Sequence, residues 1–111
     1  MIFKEDAKNG IINISSRHIL SEVEAVLVEK LGLTKQRAKT AARLLGRQSV
    51  VVEPKNVEKV CRDPFDDYIL AAAVLGKAEY LVTADKDLLI LGKYKSVKVI
   101  KPSDFRKMIE S

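Results

Sequence analysis

The sequence predicts a single α/β domain in which a parallel sheet is covered by helices on both faces. Three observations predict it. β-prone runs alternate with helical runs along the chain, the order that produces crossover connections and parallel strands. The 111 residues suffice for one hydrophobic core and are too few for two. A hydrophobic fraction of 47% beside a charged fraction of 32%, without repeats or low-complexity runs, is the composition of an ordinary folded domain.

The elements follow in order. Ile2, Phe3, Asp6 and Ala7 have helical spacing and Asn9-Gly10 is a stop signal, so the first residues read as the last two turns of a helix. Ile11 to Ser15 is a short β-prone run. Ser15 or Ser16 then caps a helix through about Lys30, with Ile19, Val23, Val26, Leu27 and Leu31 on its apolar side and Gly32 closing it. Thr34 caps the next helix, whose core face is Ala38, Ala41, Ala42 and Leu45. Ser49 to Glu53 is a valine-rich strand ended by Pro54, and a short helical turn is expected over Val57 to Val60. Asp63-Pro64 starts a helix whose run from Ile69 to Leu75 is apolar nearly all round, which predicts deep burial. Tyr80 to Thr83 forms a strand, Asp85 begins a helix toward Leu91, Val97 to Ile100 forms the last strand, and Ser103 caps a final helix.

Composition excludes several classes. No apolar run is long enough to cross a bilayer, and Glu5 and Asp6 stand where a secretory leader needs a basic start, so a cytoplasmic protein is expected. One cysteine, Cys61, allows neither an internal disulfide nor a multi-cysteine metal site. Nothing local pairs it with the single histidine, His18, so a small buried thiol is the better reading than a nucleophile. The net charge is +5, and six of the cations lie between Lys30 and Val52 with no acid among them. Lys35, Lys39, Arg43 and Arg47 recur every four residues and form one stripe on a helix. Such a stripe suits a phosphate backbone, and it equally suits a solvated helix face.

In open parallel sheets ligands bind beyond the carboxyl ends of the strands, which directs attention to the acids that follow them. Two groups stand out, Asp63, Asp66 and Asp67 in one, Asp85 and Asp87 in the other. Each alone is explained by helix capping, with Asp66 placed to reach back to the cap as in a capping box. Capping, however, needs one acid per helix, and several carboxylates crowded at one edge repel each other. Mg²⁺ or Mn²⁺ relieves that repulsion, because these hard cations prefer carboxylate oxygens while keeping several waters. Metal-assisted phosphodiester hydrolysis is the reaction class that such a site serves.

Asp66 followed by Ile69, Ala71 and Ala73, and then the run from Ala78 to Leu89, resembles the PIN-domain nucleases. The phrase Cys61-Arg62-Asp63-Pro64 is similar to one common in a toxin branch related to VapC, and the segment from Ile19 to Glu24 resembles the family's second helix. The likeness extends to the closing Val99 to Phe105. It implies a three-layer α/β/α sandwich with a parallel sheet and Mg²⁺- or Mn²⁺-dependent endoribonuclease activity of toxin-antitoxin type, with RNA as substrate, an antitoxin as partner and a homodimer or higher oligomer as the assembly. Glu22, Asp66 and Asp85 carry over as the catalytic, metal-holding acids. Asp63 and Asp87 are adjacent carboxylates that extend the metal site, Thr83 is an orienting residue or a plain strand residue, and the basic stripe holds the RNA.

The family opens with a central strand that ends in an aspartate, whereas this chain starts at what reads as the end of the following helix. That strand and its acid are therefore expected to be missing, leaving backbone groups unpaired or forcing neighbours together. A natural start further upstream, a catalytically weak remnant, and a strand supplied by a second chain all remain open. The alternative function is a degenerate module that binds RNA or a protein without cutting. A nucleotide-binding α/β domain fits the element order but lacks any glycine-rich phosphate loop after a strand.

Overall fold

The computed structural model describes residues 1–6 and 10–110. The chain forms a three-layer α/β/α sandwich. Its elements are β1 (Ile2–Asp6), β2 (Gly10–Ser16), α1 (Arg17–Glu29), α2 (Lys35–Arg47), β3 (Ser49–Val52), α3 (Pro64–Leu75), β4 (Tyr80–Val82), α4 (Lys86–Leu91), β5 (Lys93–Tyr94), β6 (Val97–Ile100) and α5 (Pro102–Glu110). They build one six-stranded sheet in the order β3-β2-β1-β4-β6-β5. β2 and β3 are parallel, as are β4 and β6, and all four run the same way. β1 and β5 run against them.

The N-terminal segment corrects the helix expected there. Ile2 to Asp6 is a strand at the middle of the sheet, paired antiparallel with β2 from Ile2↔Ile14 to Asp6↔Gly10 and with β4 at Ile2↔Leu81 and Phe3↔Tyr80. Of the expected helix and its stop signal, Ala7 and Asn9 lie outside the described residues. The physical reason for the strand is non-local. Two turns of helix are marginal on their own, while a central strand satisfies the facing edges of two neighbours at once. The expected gap beside β2 is thereby closed by a strand of opposite direction.

Side-chain alternation then divides the sheet into two faces. Ile2, Ile14, Leu81, Val97 and Val99 point to one face, where they join Leu70 and Ala73 of α3 and Leu88 of α4 in the buried core. Burying each large aliphatic side chain contributes about 1.5–3 kcal/mol. On the other face Phe3 stacks on Phe105 of α5 with ring centroids 4.9 Å apart. There Asn13 also donates to the Ser49 hydroxyl, which donates to Leu45 O of α2. α1 packs along α2 and meets the start of α3 through His18, whose ring lies on Tyr68. α3 ends at Gly76, where an added Cβ would sit 2.7 Å from Ile14 Cγ2. That approach is what lets helix and sheet close up.

Local capping follows the sequence closely. Ser16 Oγ accepts from Ile19 N at 3.2 Å, and Thr34 Oγ1 accepts from Arg37 N at 3.2 Å. Three smaller expectations are corrected. No helical turn forms over Val57 to Val60, because Asp67 captures the amides of Val60 and Cys61. Ser103 does not cap α5, which starts one residue earlier at Pro102 and bonds back to Lys101 O from Asp104 N and Phe105 N. Leu31 and Leu75, expected on buried faces, are 66% and 51% exposed.

Candidate metal centre

β2, β3 and β4 end at one edge of the sheet, and the N-termini of α1, α3 and α4 begin there. At the start of α3, Asp63 is the cap residue and its Oδ1 accepts from Phe65 N at 2.9 Å, with Pro64 in the first helical position. Asp67 turns toward the preceding loop, accepting from Val60 N at 2.9 Å and Cys61 N at 2.7 Å. Those two amides hold its carboxyl below the ordinary carboxylate range. Asp66 is different. It is buried, and among the described residues no donor reaches its carboxylate. It does not reach back to the cap as a capping-box acid would. Burial first, then the charges of Asp85, Asp63, Asp87 and Asp67, push its pKa up to about 6.

The second acidic group is held as firmly. Asp85 caps α4, its Oδ1 accepting from Asp87 N at 2.8 Å and Leu88 N at 3.3 Å. Thr83 Oγ1 accepts from Asp85 N at 3.0 Å, so Thr83 orients the residue that carries the acid. Asp87 receives both oxygens' bonds from Arg62 Nη2, at 2.7 and 2.9 Å. Arg62 was not among the expected site residues. Its signal was its place in the loop leading to Asp63, which says nothing about the 25 residues to Asp87.

Glu22 lies exposed on α1, between Ile19 and Val23. Those two residues line a cavity of about 210 Å³ together with Ile69 of α3, Leu81 and Thr83 at the end of β4, and Leu88 of α4. The three elements that carry Glu22, Asp66 and Asp85 therefore border one cavity. None of the acids lines that cavity; the charges that raise Asp66 come from Asp85, Asp63, Asp87 and Asp67, and Glu22 is not among them. Among the described residues no three His, Cys, Asp or Glu side chains come close enough to enclose a metal ion.

A family model described as PIN domain matches residues 3–87, which takes in every one of these acids. The chain belongs to the PIN-domain family. No curated protein and no solved structure matches it. A nuclease-type function and dependence on divalent metal go with PIN domains in general.

The donor set of this PIN domain fits a hydrated cation. Mg²⁺ keeps several waters and takes only one or two carboxylates, so it does not require an enclosing cage. The Asp66 carboxylate takes no hydrogen bond among the described residues, its oxygens still reach solvent, and four neighbouring carboxylates raise its pKa, so a hydrated cation would relieve it.

The remaining candidates separate cleanly. Lys35, Lys39, Arg43 and Arg47 are all exposed on α2, opposite the buried Ala38 and Ala42, and among the described residues none forms an ion pair. Arg47 leads toward the start of β3, so that end of the stripe lies at the sheet edge away from the acids. Cys61 packs against the core, and burial with the Asp67 charge pushes its thiol up to about 11. A thiol so poorly ionised is inert near neutral pH.

Proposed function

We propose that this PIN domain is a Mg²⁺- or Mn²⁺-dependent endoribonuclease of toxin-antitoxin type. The observation that carries the reading is Asp66, a residue 6% exposed whose carboxylate takes no donor among the described residues and sits in the field of four neighbouring carboxylates. A protein gains nothing in stability from that arrangement. Asp66 and Asp85 hold the cation directly, Asp85 through the Oδ2 left free when Oδ1 caps α4. Glu22, Asp63 and Asp87 extend the acidic ring around its waters. Thr83 fixes the Asp85 backbone, and Arg62 holds the Asp87 carboxylate through both its oxygens. The bound cation supplies positive charge against the attacked phosphate. The α2 stripe holds the RNA backbone beyond the cut, through charge alone.

An antitoxin that lays cationic side chains over the acidic sheet edge belongs to the same reading, as does a cytoplasmic setting. No described helix is long and apolar enough to cross a membrane. The homodimer is supported by the sheet edges. β5 is a two-residue edge, Lys93–Tyr94, that carries one lysine and is followed by another, Lys95, a blunted end. β3 carries three valines, of which Val50 and Val51 are 41% and 42% exposed. Antiparallel neighbours face the same side, so a symmetric pair must set one residue opposite itself. A two-fold axis at Val50 sets that valine against its copy, and an axis at Val51 does the same for Val51, so either register buries an exposed apolar pair.

The test is cleavage. Purified protein with Mn²⁺ cuts single-stranded RNA, a chelator stops it, and Asp66→Asn abolishes it; equal cleavage by the variant overturns the assignment. The second reading, a module that binds RNA without cutting, is favoured by the absence of a converged acid triad among the described residues. It predicts RNA binding that weakens with salt and no calorimetric signal for Mn²⁺.

A further inference from the structure

We infer that His18, Phe65 and Tyr68 form a stacking platform for one base of a single-stranded RNA beside the acidic edge, with Arg17 taking the adjoining phosphate. The inference rests on the ribonuclease reading for the identity of the ligand, and on separate residues for its geometry. The His18 ring lies 4.0 Å from the Tyr68 ring at an interplanar angle of 14°, and 5.5 Å from Phe65 at 31°. The cluster gathers three of the seven His, Phe and Tyr residues in the chain, while Phe3 and Phe105 cover the sheet and Tyr94 bonds Glu58. Neither Phe65 nor Tyr68 belongs to the hydrophobic core or packs against it. His18 is exposed and the other two rings are half-buried. Aromatic rings that do not serve the core, stacked and open to water, are the surface on which a base of any sequence continues the stack.

The surrounding groove has the right chemistry. It encloses about 330 Å³ and is lined by Ser16, Arg17, Ser21, Glu53 and Tyr68 together with His18. Arg17 Nε holds Glu53 at 2.9 Å, which neutralises the one acid of the groove and leaves both terminal guanidinium nitrogens as donors. Phe65 precedes Asp66 and Tyr68 follows it within the first turns of α3, and Ser21 precedes Glu22 on α1. The groove therefore lies at the N-terminal ends of α1 and α3, the sheet edge on which the acids also lie. A stacked base with a bidentate phosphate contact is how sequence-tolerant single-strand binders combine affinity with position.

The experiment is binding of an end-labelled single-stranded oligoribonucleotide in EDTA, followed by anisotropy, so that cleavage plays no part. Tyr68→Leu and His18→Leu keep apolar bulk while removing the rings, and each weakens binding about tenfold or more. Tyr68→Phe retains wild-type binding. Arg17→Gln, a fully surface change that leaves folding untouched, weakens binding less and lowers the salt slope by about one. Melting curves confirm that each variant is folded. Binding by Tyr68→Leu and His18→Leu equal to wild type, or no binding by the wild type, overturns the platform. Intact binding with ring dependence but no Mn²⁺-stimulated cleavage upholds the platform and removes the nuclease reading instead.

Discussion

Replacing Asp66 by asparagine should make the folded protein more stable near neutral pH. The carboxyl titrates at its ordinary 3.8 in the unfolded chain and at about 6 when folded. A gap of about two pH units at about 1.4 kcal/mol each amounts to about 3 kcal/mol. The sign follows from proton binding. The folded state holds the Asp66 proton more tightly, so below pH 4 the group costs nothing, and stability is lost as pH rises from about 4 through 6. Above that the whole penalty is present. Asparagine keeps the size and cannot ionise, and its amide can donate to the neighbouring carboxylates. Some of the gain is lost in orienting that amide, so the expected gain is about 1–3 kcal/mol at pH 7.5. For a domain of this length that corresponds to roughly 4–12 °C in melting temperature.

The assay is thermal unfolding of both proteins from pH 3.5 to 8, without divalent metal. The difference between them should grow across pH 4 to 6 and then level off. Asp67 does not confound the comparison, because its depressed pKa confines its own stabilisation to loss at lower pH and both proteins share it. Adding Mn²⁺ at about a hundred times its dissociation constant should return about 2.7 kcal/mol to the wild type and much less to the variant. A variant no more stable than wild type at pH 7.5, with a flat difference across pH 4 to 6, would refute the account of Asp66 as an unrelieved buried charge.

Gly76→Ala should destabilise the fold by about 1–3 kcal/mol, read from urea midpoints, because its Cβ would sit 2.7 Å from Ile14 Cγ2 and 3.2 Å from the backbone oxygen of Ala72. Arg62→Gln should leave the melting temperature nearly unchanged, since the Arg62–Asp87 pair is exposed. It should nonetheless raise the Asp66 titration midpoint, followed by carboxyl NMR, because Asp87 loses its counter-charge. If the proposed pairing at β3 holds, wild type should sediment as a dimer and Val50→Lys as a monomer without loss of helix content; equal mass for the two would sink that pairing.

How far the fold could be read from residues depended on how local the deciding force was. Ser16, Thr34, Asp63 and Asp85 cap the helices expected of them, because a cap is settled within three residues. Four strands of one direction followed from the alternation of elements. Ile2 to Asp6 did not, because five residues with two adjacent apolar side chains fit either a helix end or a strand, and the choice belonged to the facing edges of β2 and β4, separated from it by up to about 80 residues of chain. Val57 to Val60 failed for a like reason, since a single carboxylate seven residues on takes its amide.

The candidate site divides along the same line, and one apparent choice dissolves. From residues alone, capping and metal holding are rival explanations of the aspartates. In the fold they are compatible, because a cap engages one carboxylate oxygen and leaves the other. Asp63 and Asp85 each commit Oδ1 to backbone amides, while among the described residues Oδ2 of each takes no hydrogen bond. The caps then do more than start helices, since they fix two carboxylates at the sheet edge with one oxygen outward and no freedom to retreat from Asp66. Asp66, which caps nothing, bears the resulting field. Burial of that one group depends on the packing of α3 against the sheet and α1. For that reason its isolation could be seen only once the chain was folded.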